Sequence, residues 1–245
     1  MILPTVTSIM YRPTPTLRER WIKKYGKDRF TFDEAREAQS FPFDWFFPKN
    51  NSLRWKWLAE AFPPRVAMYL FNTYLSEEKN YILLDLFGGI GGWSLGAIWT
   101  RKFSKIIIVE IDNHKCFYLK RNFQKYGNVE VEVICDDVRK INYNKLGNID
   151  VVTSSPPCED LSILKYFDYH PTSKGTIPLT LFTIQLVNKL NPKLALYENV
   201  WRKPLVHLFE KYRWKAVRFD MSKMIPQKRI RLIAVRNRIK KLMED

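Results

Sequence analysis

The chain has 245 residues, enough for one domain with a sizeable core, and a hydrophobic content of 46% excludes a disordered chain. No apolar run reaches the roughly 18–20 residues of a membrane span, and the first residues lack the layout of a signal peptide. Forty-one Lys and Arg residues against 25 Asp and Glu residues give a formal net charge of +16, which favours a polyanionic partner.

The three cysteines, Cys116, Cys135 and Cys158, stand far apart and without a pattern. Such spacing matches neither a disulfide framework nor a zinc site, and it suits a reducing compartment. We therefore expect a protein of the cytoplasm, or one associated with the nucleoid, that binds no metal ion.

The first 80 residues predict a basic arm followed by helices. Residues 1–28 contain three early prolines and the basic cluster Arg18–Lys27, so we expect a loose arm with one short helix. A helix over Thr31–Gln39 is indicated by a threonine N-cap and two acidic residues in the first turn. A second helix, over Pro63–Leu75, is indicated by apolar residues at helical spacing.

From Tyr81 onwards, short β-branched runs alternate with helical patterns. The runs predict strands at Tyr81–Phe87, Lys105–Glu110, Glu130–Cys135, Ile149–Thr153, Leu194–Tyr197, Trp214–Phe219 and Arg231–Arg236. The intervening segments predict helices at Trp93–Thr100, Lys115–Lys125, Leu179–Leu190 and Pro204–Tyr212. This alternation predicts an α/β fold in which a doubly wound, mostly parallel seven-stranded sheet is covered by helices on both faces.

The fourth predicted strand leads into a run that places a thiol at a strand end. Pro156 and Pro157 stop the strand and stiffen the backbone, and Cys158 follows at once. In open α/β sheets ligands bind beyond the carboxyl ends of the strands. Cys158 is therefore a candidate functional residue, against the alternative of an incidental buried cysteine in a turn.

A glycine-rich turn, Asp85–Gly92, follows the first strand and leads into a helix. Its glycines permit a tight turn and a close approach of a ligand to the backbone, and the helix N-terminus offers free N–H groups. Glu110, at the end of the second strand, can accept hydrogen bonds from ribose hydroxyls, and Asp137, after the third strand, can hold an adenine amino group. The ordered set indicates a nucleotide-containing ligand.

Two further motifs place charged residues at later strand ends. Glu198-Asn199-Val200 follows an apolar run, and Gln227–Arg231 puts two arginines at alternate positions entering the last strand. Alternate residues of a strand point to the same side. Since buried strands rarely carry charge, we expect these arginines to face an anionic ligand or a catalytic carboxylate.

These four motifs stand in the order of the signature motifs of the cytosine-C5 DNA methyltransferases. The chain resembles that family over Tyr81–Asn237. The resemblance implies a Rossmann-like, S-adenosylmethionine-dependent methyltransferase fold, with S-adenosyl-L-methionine as the methyl donor and double-stranded DNA as the partner. It also implies a role of the restriction-modification or orphan type.

The resemblance assigns roles to individual residues. By the family's chemistry, Cys158 adds to C6 of a cytosine flipped out of the helix, and Glu198 grips the N3 edge of the ring. Arg229 and Arg231 orient the ring and its flanking phosphate. The predicted further substrate contacts are Ser162, Asn199 and Gln227. The predicted donor contacts are Asp85, Phe87, Gly88, Gly89, Gly91, Gly92, Glu110, Ile111, Asp137 and Pro156.

Two segments near the N-terminus, Phe30–Pro42 and Ala59–Ala67, resemble motifs that lie at the C-terminal end in most members of the family. Because they precede the glycine-rich turn here, we infer a circular permutation, which rejoins nearby termini through Asn72–Asn80. The chain then divides into a basic arm (1–28), a permuted helical segment (29–80), a catalytic domain (81–237) and a basic tail (238–245).

The sequence also departs from the family pattern. Glu159 replaces the glutamine usual after the cysteine motif, and the loop Leu161–Lys174 lacks the usual glycines. The target-recognition region is reduced to residues 1–28 and Asn237–Asp245, so we expect mainly phosphate-backbone contact, or a second polypeptide that supplies target recognition. Two other functions stay open: the same reaction on RNA, and a subunit of a split enzyme that is inactive without its partner.

Overall fold

Seven strands form one sheet, as the alternation in the sequence predicts. The computed structural model describes residues 3–78, 80–158 and 175–238. The strands are β1 (Tyr81–Leu86), β2 (Phe103–Glu110), β3 (Glu130–Cys135), β4 (Val151–Ser154), β5 (Leu194–Asn199), β6 (Lys215–Asp220) and β7 (Ile230–Asn237). Their order is β3-β2-β1-β4-β5-β7-β6. Strands β1 to β5 pair in parallel, whereas β7 is antiparallel to both of its neighbours.

The central strands are buried on both faces, which explains their nearly continuous apolar sequence. In β2, Ile106 and Ile108 belong to one hydrophobic core, whereas Ile107 and Val109 belong to a second core. Successive side chains of a strand point to opposite faces, so the sheet lies between the two cores. All seven predicted strands are confirmed, with boundaries that shift by at most two residues.

Eight α-helices are described. They are α1 (Pro15–Tyr25), α2 (Phe32–Ala38), α3 (Asn51–Glu60), α4 (Pro64–Tyr74), α5 (Gly92–Thr100), α6 (Asn113–Phe123), α7 (Thr176–Leu190) and α8 (Lys203–Lys211). The predicted helices are confirmed, and Thr31 caps α2 in a reciprocal capping box with Glu34. Within the described ranges no helix combines the length and the hydrophobicity that crossing a membrane requires.

Helix α3 was not predicted from the sequence. Its apolar residues include Trp55 and Trp57, a spacing of two that does not match one helix face. Both tryptophans are buried all the same, because α3 packs on more than one side; Trp57, for example, meets Tyr118 of α6 edge to face. The helix begins after Asn50, whose side chain accepts a hydrogen bond from the Leu53 N–H.

The expectation of a loose N-terminal arm is wrong. The Leu3 N–H donates to the Pro226 carbonyl at 2.8 Å, and the Lys228 N–H donates to the Leu3 carbonyl at 2.9 Å. Met10 and Trp21 are buried in the first of the two cores. Apolar residues spaced irregularly between prolines gave no periodic signal, yet together they cover one face of the domain.

Helices α4 and α5 pack against each other at the start of α5. A Cβ atom added to Gly92 would lie 1.9 Å from the Phe62 carbonyl oxygen, so only glycine permits this approach. The Phe62 ring stacks on the Trp93 ring with centroids 3.8 Å apart. The segment before α4 therefore lies beside the glycine-rich turn, as the resemblance implies; the permuted chain order itself stays a prediction.

The expectation that the cysteine spacing matches no disulfide framework needs a correction. Cys116, in α6, and Cys135, at the end of β3, form a disulfide. They are 19 residues apart, but the parallel pairing of β2 with β3 brings the start of α6 over the end of β3. Cys158 is a free cysteine.

Candidate active site

The predicted site residues gather at the carboxyl edge of the sheet. Strands β1, β2, β4 and β5 run in parallel, so the segments that follow them meet at one edge. Strand β7 runs the opposite way and starts where β5 ends, with Leu232 paired to Asn199. This reversal brings Arg229 and Arg231 to the same edge as Cys158 and Glu198.

The Cys158 thiol lies in a strongly charged environment. The residue is solvent-exposed, but the surrounding protein atoms and the Glu198 carboxylate raise the pKa of its thiol above the ordinary value. The guanidinium groups of Arg231 and Arg229 lower this pKa. The thiol therefore interacts electrostatically with all three of the other predicted catalytic side chains.

Glu198 and Arg231 form a buried ion pair. The Arg231 Nε lies 3.1 Å from the Glu198 Oε1, and both side chains are less than one-fifth exposed. Glu198 lies within β5, opposite Ile233 of β7, and Arg231 lies within the neighbouring β7. Of the two expected partners, an anionic ligand or a carboxylate, Arg231 thus meets the Glu198 carboxylate, and the catalytic role of the pair stays a prediction.

Arg229 is hydrogen-bonded to the N-terminal part of the chain. Its guanidinium donates to the carbonyl oxygens of Ala59 and Ala61 at 3.2 Å, in the segment between α3 and α4. Burial and the neighbouring Arg231 lower the pKa of Arg229 to about 9, while Glu198 raises it. Its Nε is buried and has no hydrogen-bond partner in the described part of the chain. Arg229 thus fixes the N-terminal helices to the site and keeps one donor free.

Two side chains fix the loop that carries Cys158. The Asn199 amide donates to the Pro156 carbonyl at 3.0 Å, and the Thr176 hydroxyl donates to the Pro157 carbonyl at 2.6 Å. Asn199 is buried, and its Oδ1 accepts a hydrogen bond from the Val200 N–H. The Asn199 side chain therefore positions the cysteine loop; sequence spacing gave no signal for Thr176.

The glycine-rich turn connects β1 to α5. Phe87 has a positive φ of 59°, and Gly89 follows with a φ of 58°, so the chain reverses tightly above the strand. The Gly89 N–H donates to the Glu110 Oε2 at 2.7 Å. The predicted donor contacts Gly88, Gly91 and Gly92 lie in the same turn and at the first residue of α5. The structure thus brings the turn and Glu110 together, as predicted.

Glu110 and Ile111, which follow each other at the end of β2, place a carboxylate beside an exposed aliphatic side chain. The buried Glu110 carboxylate also accepts a hydrogen bond from the Asp112 N–H at 2.9 Å, and burial raises its pKa. The next residue, Ile111, is 66% exposed, which is unusual for a large aliphatic side chain. A carboxylate that accepts hydrogen bonds beside an apolar face fits a ribose and an adenine ring.

Asp85 points into the protein. Its two carboxylate oxygens accept hydrogen bonds from Ser94 at 2.6 Å and Thr153 at 2.8 Å, and the residue is fully buried. Burial raises the pKa of Asp85 to about 7. The contacts join β1, β4 and α5 below the glycine-rich turn, so Asp85 shapes the turn rather than presenting its carboxylate at the surface.

Asp137 is engaged by a neighbouring cation. Arg139 donates to it from its backbone N–H and its Nε, each at 2.9 Å, and these hydrogen bonds lower the pKa of Asp137 to about 2. Asp137 also caps the short turn Val138–Lys140 at the end of the segment after β3. It lies at the predicted edge of the sheet, with its carboxylate already paired.

Gln227 is fully buried and does not face the Cys158 loop. Its Oε1 accepts from the Val6 N–H at 2.9 Å, and its Nε2 donates to the Gln39 Oε1 at 3.2 Å. The structure thus contradicts a direct substrate contact for Gln227, because tertiary packing occupies both ends of its amide. Ser162, the remaining predicted substrate contact, lies outside the described residues.

Sequence comparison identifies related proteins. A sequence model of the C-5 cytosine-specific DNA methylase family matches residues 81–224. The chain is 30% identical over 199 residues to the type II methyltransferase M.Eco47II of Escherichia coli, covering 70% of this chain and 44% of that protein. It is 26% identical over 187 residues to the type II methyltransferase M.PspPI of a Psychrobacter strain, covering 68% and 43%. The chain spans less than half the length of either relative.

Solved structures agree on the fold. The N-terminal domain of human METTL16 in complex with SAH superposes with a TM-score of 0.55 at 11% identity, covering 94% of this chain and 97% of that one. A human methyltransferase 10 domain containing protein gives a TM-score of 0.52, also at 11% identity, covering 91% and 94%. Such distant likeness shows the fold alone, and it confirms the predicted Rossmann-like methyltransferase sheet.

Proposed function

Because the chain belongs to the C-5 cytosine-specific DNA methylase family, we propose that it transfers a methyl group from S-adenosyl-L-methionine to C5 of cytosine in double-stranded DNA. The observation that carries the proposal is the set formed by Cys158, Glu198 and Arg231. A free thiol interacts there with a buried carboxylate–guanidinium pair, at the sheet edge that also holds the glycine-rich turn.

Cys158 is the proposed nucleophile. The target cytosine must leave the base stack before a side chain can reach its ring. The Cys158 thiolate then forms a bond to C6, and the electron pair displaced from the C5–C6 double bond makes C5 nucleophilic. When bound, S-adenosyl-L-methionine supplies the electrophilic methyl group. After methylation, a base from the solvent takes the C5 proton, and the electrons of that C–H bond restore the double bond as the C6–S bond breaks and releases the Cys158 thiolate.

Glu198 is the proposed group that stabilises the charge formed during addition. Its carboxyl group would hydrogen-bond N3 and the exocyclic amine of the cytosine, at the edge of the ring far from Cys158. The ion pair with Arg231 holds Glu198 in one orientation inside the site. Arg229 contributes positive charge to the same site while its guanidinium is anchored on Ala59 and Ala61.

The donor would lie over the glycine-rich turn. In this proposal the ribose hydroxyls meet Glu110, and the adenine ring packs on the exposed Ile111. Phe87 and the backbone of Gly88–Gly92 would contact the remainder of the donor molecule. Asp137 would lie at the adenine end of the donor, and Pro156 would lie between the donor and the cytosine. Asp85 and Asn199 act as positioning residues, because their polar atoms hold the turn and the Cys158 loop.

The activity is tested by incubating the purified chain with duplex DNA and a donor labelled on its methyl group. We expect label on C5 of cytosine, with bisulfite sequencing giving the positions. Cys158→Ala should abolish transfer and leave donor affinity within about twofold of the wild type, since the thiol does not hold the donor. Lys215→Gln, at the opposite edge of the sheet, is the control.

The outcomes separate the candidate functions. Substantial turnover by Cys158→Ala would rule out the covalent route. Label on RNA but not on duplex DNA would favour an RNA substrate. Donor binding without transfer, relieved by adding a second polypeptide, would support the proposed separate target-recognition subunit.

A further inference from the structure

We propose that a cavity beside the N-terminal helices, here called the arginine pocket, binds a backbone phosphate of the DNA substrate. The pocket has a volume of about 340 Å³, and its lining includes Arg12, Arg18, Arg29, Arg54, Phe30 and Trp55. It lies outside the Cys158 site and outside the donor site. The inference rests on the proposed function, because that function supplies the polyanionic ligand.

The charges of the arginine pocket are poorly compensated. Four arginines line it, and no Asp or Glu belongs to its lining in the described part of the chain. Arg29 has an acidic neighbour, Asp28, at 3.5 Å, but both side chains are largely exposed, so this pair neutralises little. Four guanidinium groups around one cavity favour an anionic ligand, and their planar donor forks suit phosphate oxygens.

Arg54 packs against an aromatic ring at the edge of the pocket. Its guanidinium packs 4.5 Å from the centroid of the Phe32 ring, which restricts its orientation. Its Nε is buried and has no hydrogen-bond partner among the residues that the structure describes. Packing on the Phe32 ring thus holds one of the four lining arginines in a restricted orientation beside the cavity.

Two of the three aromatic residues that line the pocket are buried in the core. Phe30 and Trp55 are each 3% exposed, so neither presents a free ring face. Their rings meet Trp21 and Phe32 edge to face inside the core. The third, Tyr11, has the Arg12 guanidinium 5.1 Å from its ring centroid, so one face of that ring is occupied. A compact anion therefore fits the pocket better than an extruded base does.

The pocket is joined to the active site by rigid contacts. Helix α3 carries Arg54 near its start and Ala59 near its end, and the Ala59 carbonyl binds Arg229. Five residues of α-helix span about 7.5 Å. Helix α3 thus links a residue of the pocket to Arg229 of the proposed catalytic site.

The test compares two triple variants that lose the same charge. Arg12→Gln, Arg18→Gln and Arg29→Gln together remove three exposed arginines from the pocket. Lys189→Gln, Lys211→Gln and Lys215→Gln together remove three exposed lysines at the amino edge of the sheet. Binding of a non-cognate duplex is measured between about 50 and 200 mM salt, with donor affinity and thermal unfolding as folding controls.

We expect the pocket variant to lose at least about tenfold in duplex affinity, with a salt slope smaller by up to about three. The lysine variant should stay within about threefold of the wild type. Equal losses in both variants would overturn the proposal, because net charge alone would then explain them. Binding that depends on the pocket only for RNA would also overturn it.

Two further arms separate the remaining explanations. A few millimolar inorganic phosphate at constant ionic strength should weaken duplex binding by the wild type more than by the pocket variant, and equal weakening of both would overturn the proposal. If the pocket-dependent affinity is present but the wild type methylates no DNA, the inference stands and the proposed function fails. If the wild type methylates DNA and both variants bind equally, the inference alone fails.

Discussion

Gln227 and Gln39 share a buried hydrogen bond of 3.2 Å across 188 residues of sequence. Gln39 also donates to the Leu58 carbonyl at 2.8 Å, and Gln227 accepts from the Val6 N–H. These two amides join the N-terminal arm, the segment after α2, the end of α3 and the entry to β7. The arrangement holds Arg229 and Arg231 in place by holding the backbone on which they lie.

Replacing Gln227 with Ala should destabilise the fold. The change leaves the Val6 N–H and the Gln39 Oε1 buried without partners, at about 1–3 kcal/mol for each unsatisfied group. We expect the urea midpoint to fall, and the double variant with Gln39→Ala to be less destabilised than the sum of the single variants. Strict additivity in this double-mutant cycle would show that the two amides do not act together.

Glu198→Gln should change the reactivity of Cys158 and the rate of methyl transfer in opposite directions. Because the Glu198 carboxylate raises the pKa of the Cys158 thiol, removing its charge lowers that pKa and increases the thiolate fraction near pH 8. Alkylation of Cys158 by iodoacetamide should then be faster, whereas methyl transfer should fall by about 10²–10³.

The background for this measurement is low, since Cys116 and Cys135 are paired. Glu210→Gln, an exposed change in α8, is the control and should alter neither rate. Slower alkylation in Glu198→Gln would contradict the electrostatic account of the site.

Asp85 should make stability decrease with rising pH. Burial raises the pKa of Asp85 to about 7 in the folded protein, whereas the unfolded value is about 3.9. The folded state therefore binds more protons than the unfolded state between these values, so this residue's contribution falls as pH rises through that window. The contribution is of the order of a few kcal/mol.

Asp85→Asn removes the titration and keeps the size of the side chain. We expect its free energy of unfolding, from urea titrations at about pH 5 and 8, to depend less on pH than that of the wild type. An identical pH dependence in both proteins would show that Asp85 stays ionised when buried.

Gly92→Ala should disturb the contact between α4 and α5. The added Cβ would lie 1.9 Å from the Phe62 carbonyl oxygen, which is backbone and cannot rotate away. We expect a loss of about 1–3 kcal/mol in the free energy of unfolding and weaker donor binding, because the glycine-rich turn must shift.

The matched control for this change is Gly127→Ala. No atom lies within 4 Å of a Cβ built on Gly127, so its unfolding free energy should change by no more than about 0.5 kcal/mol. Equal effects at both glycines would mean that the close approach at Gly92 does not constrain the fold.

Local sequence determined the strands, most of the helices and the motif positions. The apolar runs of β1, β2, β4 and β5 are buried on both faces, so their composition alone distinguishes them from the surrounding helices. Local interactions also determined the capping box of α2 and the tight turn after β1. The capping box is a pair of hydrogen bonds between residues three apart, and the turn depends on the backbone conformation of a few successive residues. Four motifs in family order were enough to place Cys158, Glu198 and the two arginines at one edge of the sheet.

Only the tertiary structure decided which polar groups face the site and which face inward. Asp85, Asn199 and Gln227 belong to motifs, yet packing directs their side chains to Thr153, Pro156 and Gln39. Helix α3, the packed N-terminal arm and the arginine pocket also depend on contacts between residues far apart in the chain. No local pattern encodes such contacts, because their energy arises only when separate segments bury one another.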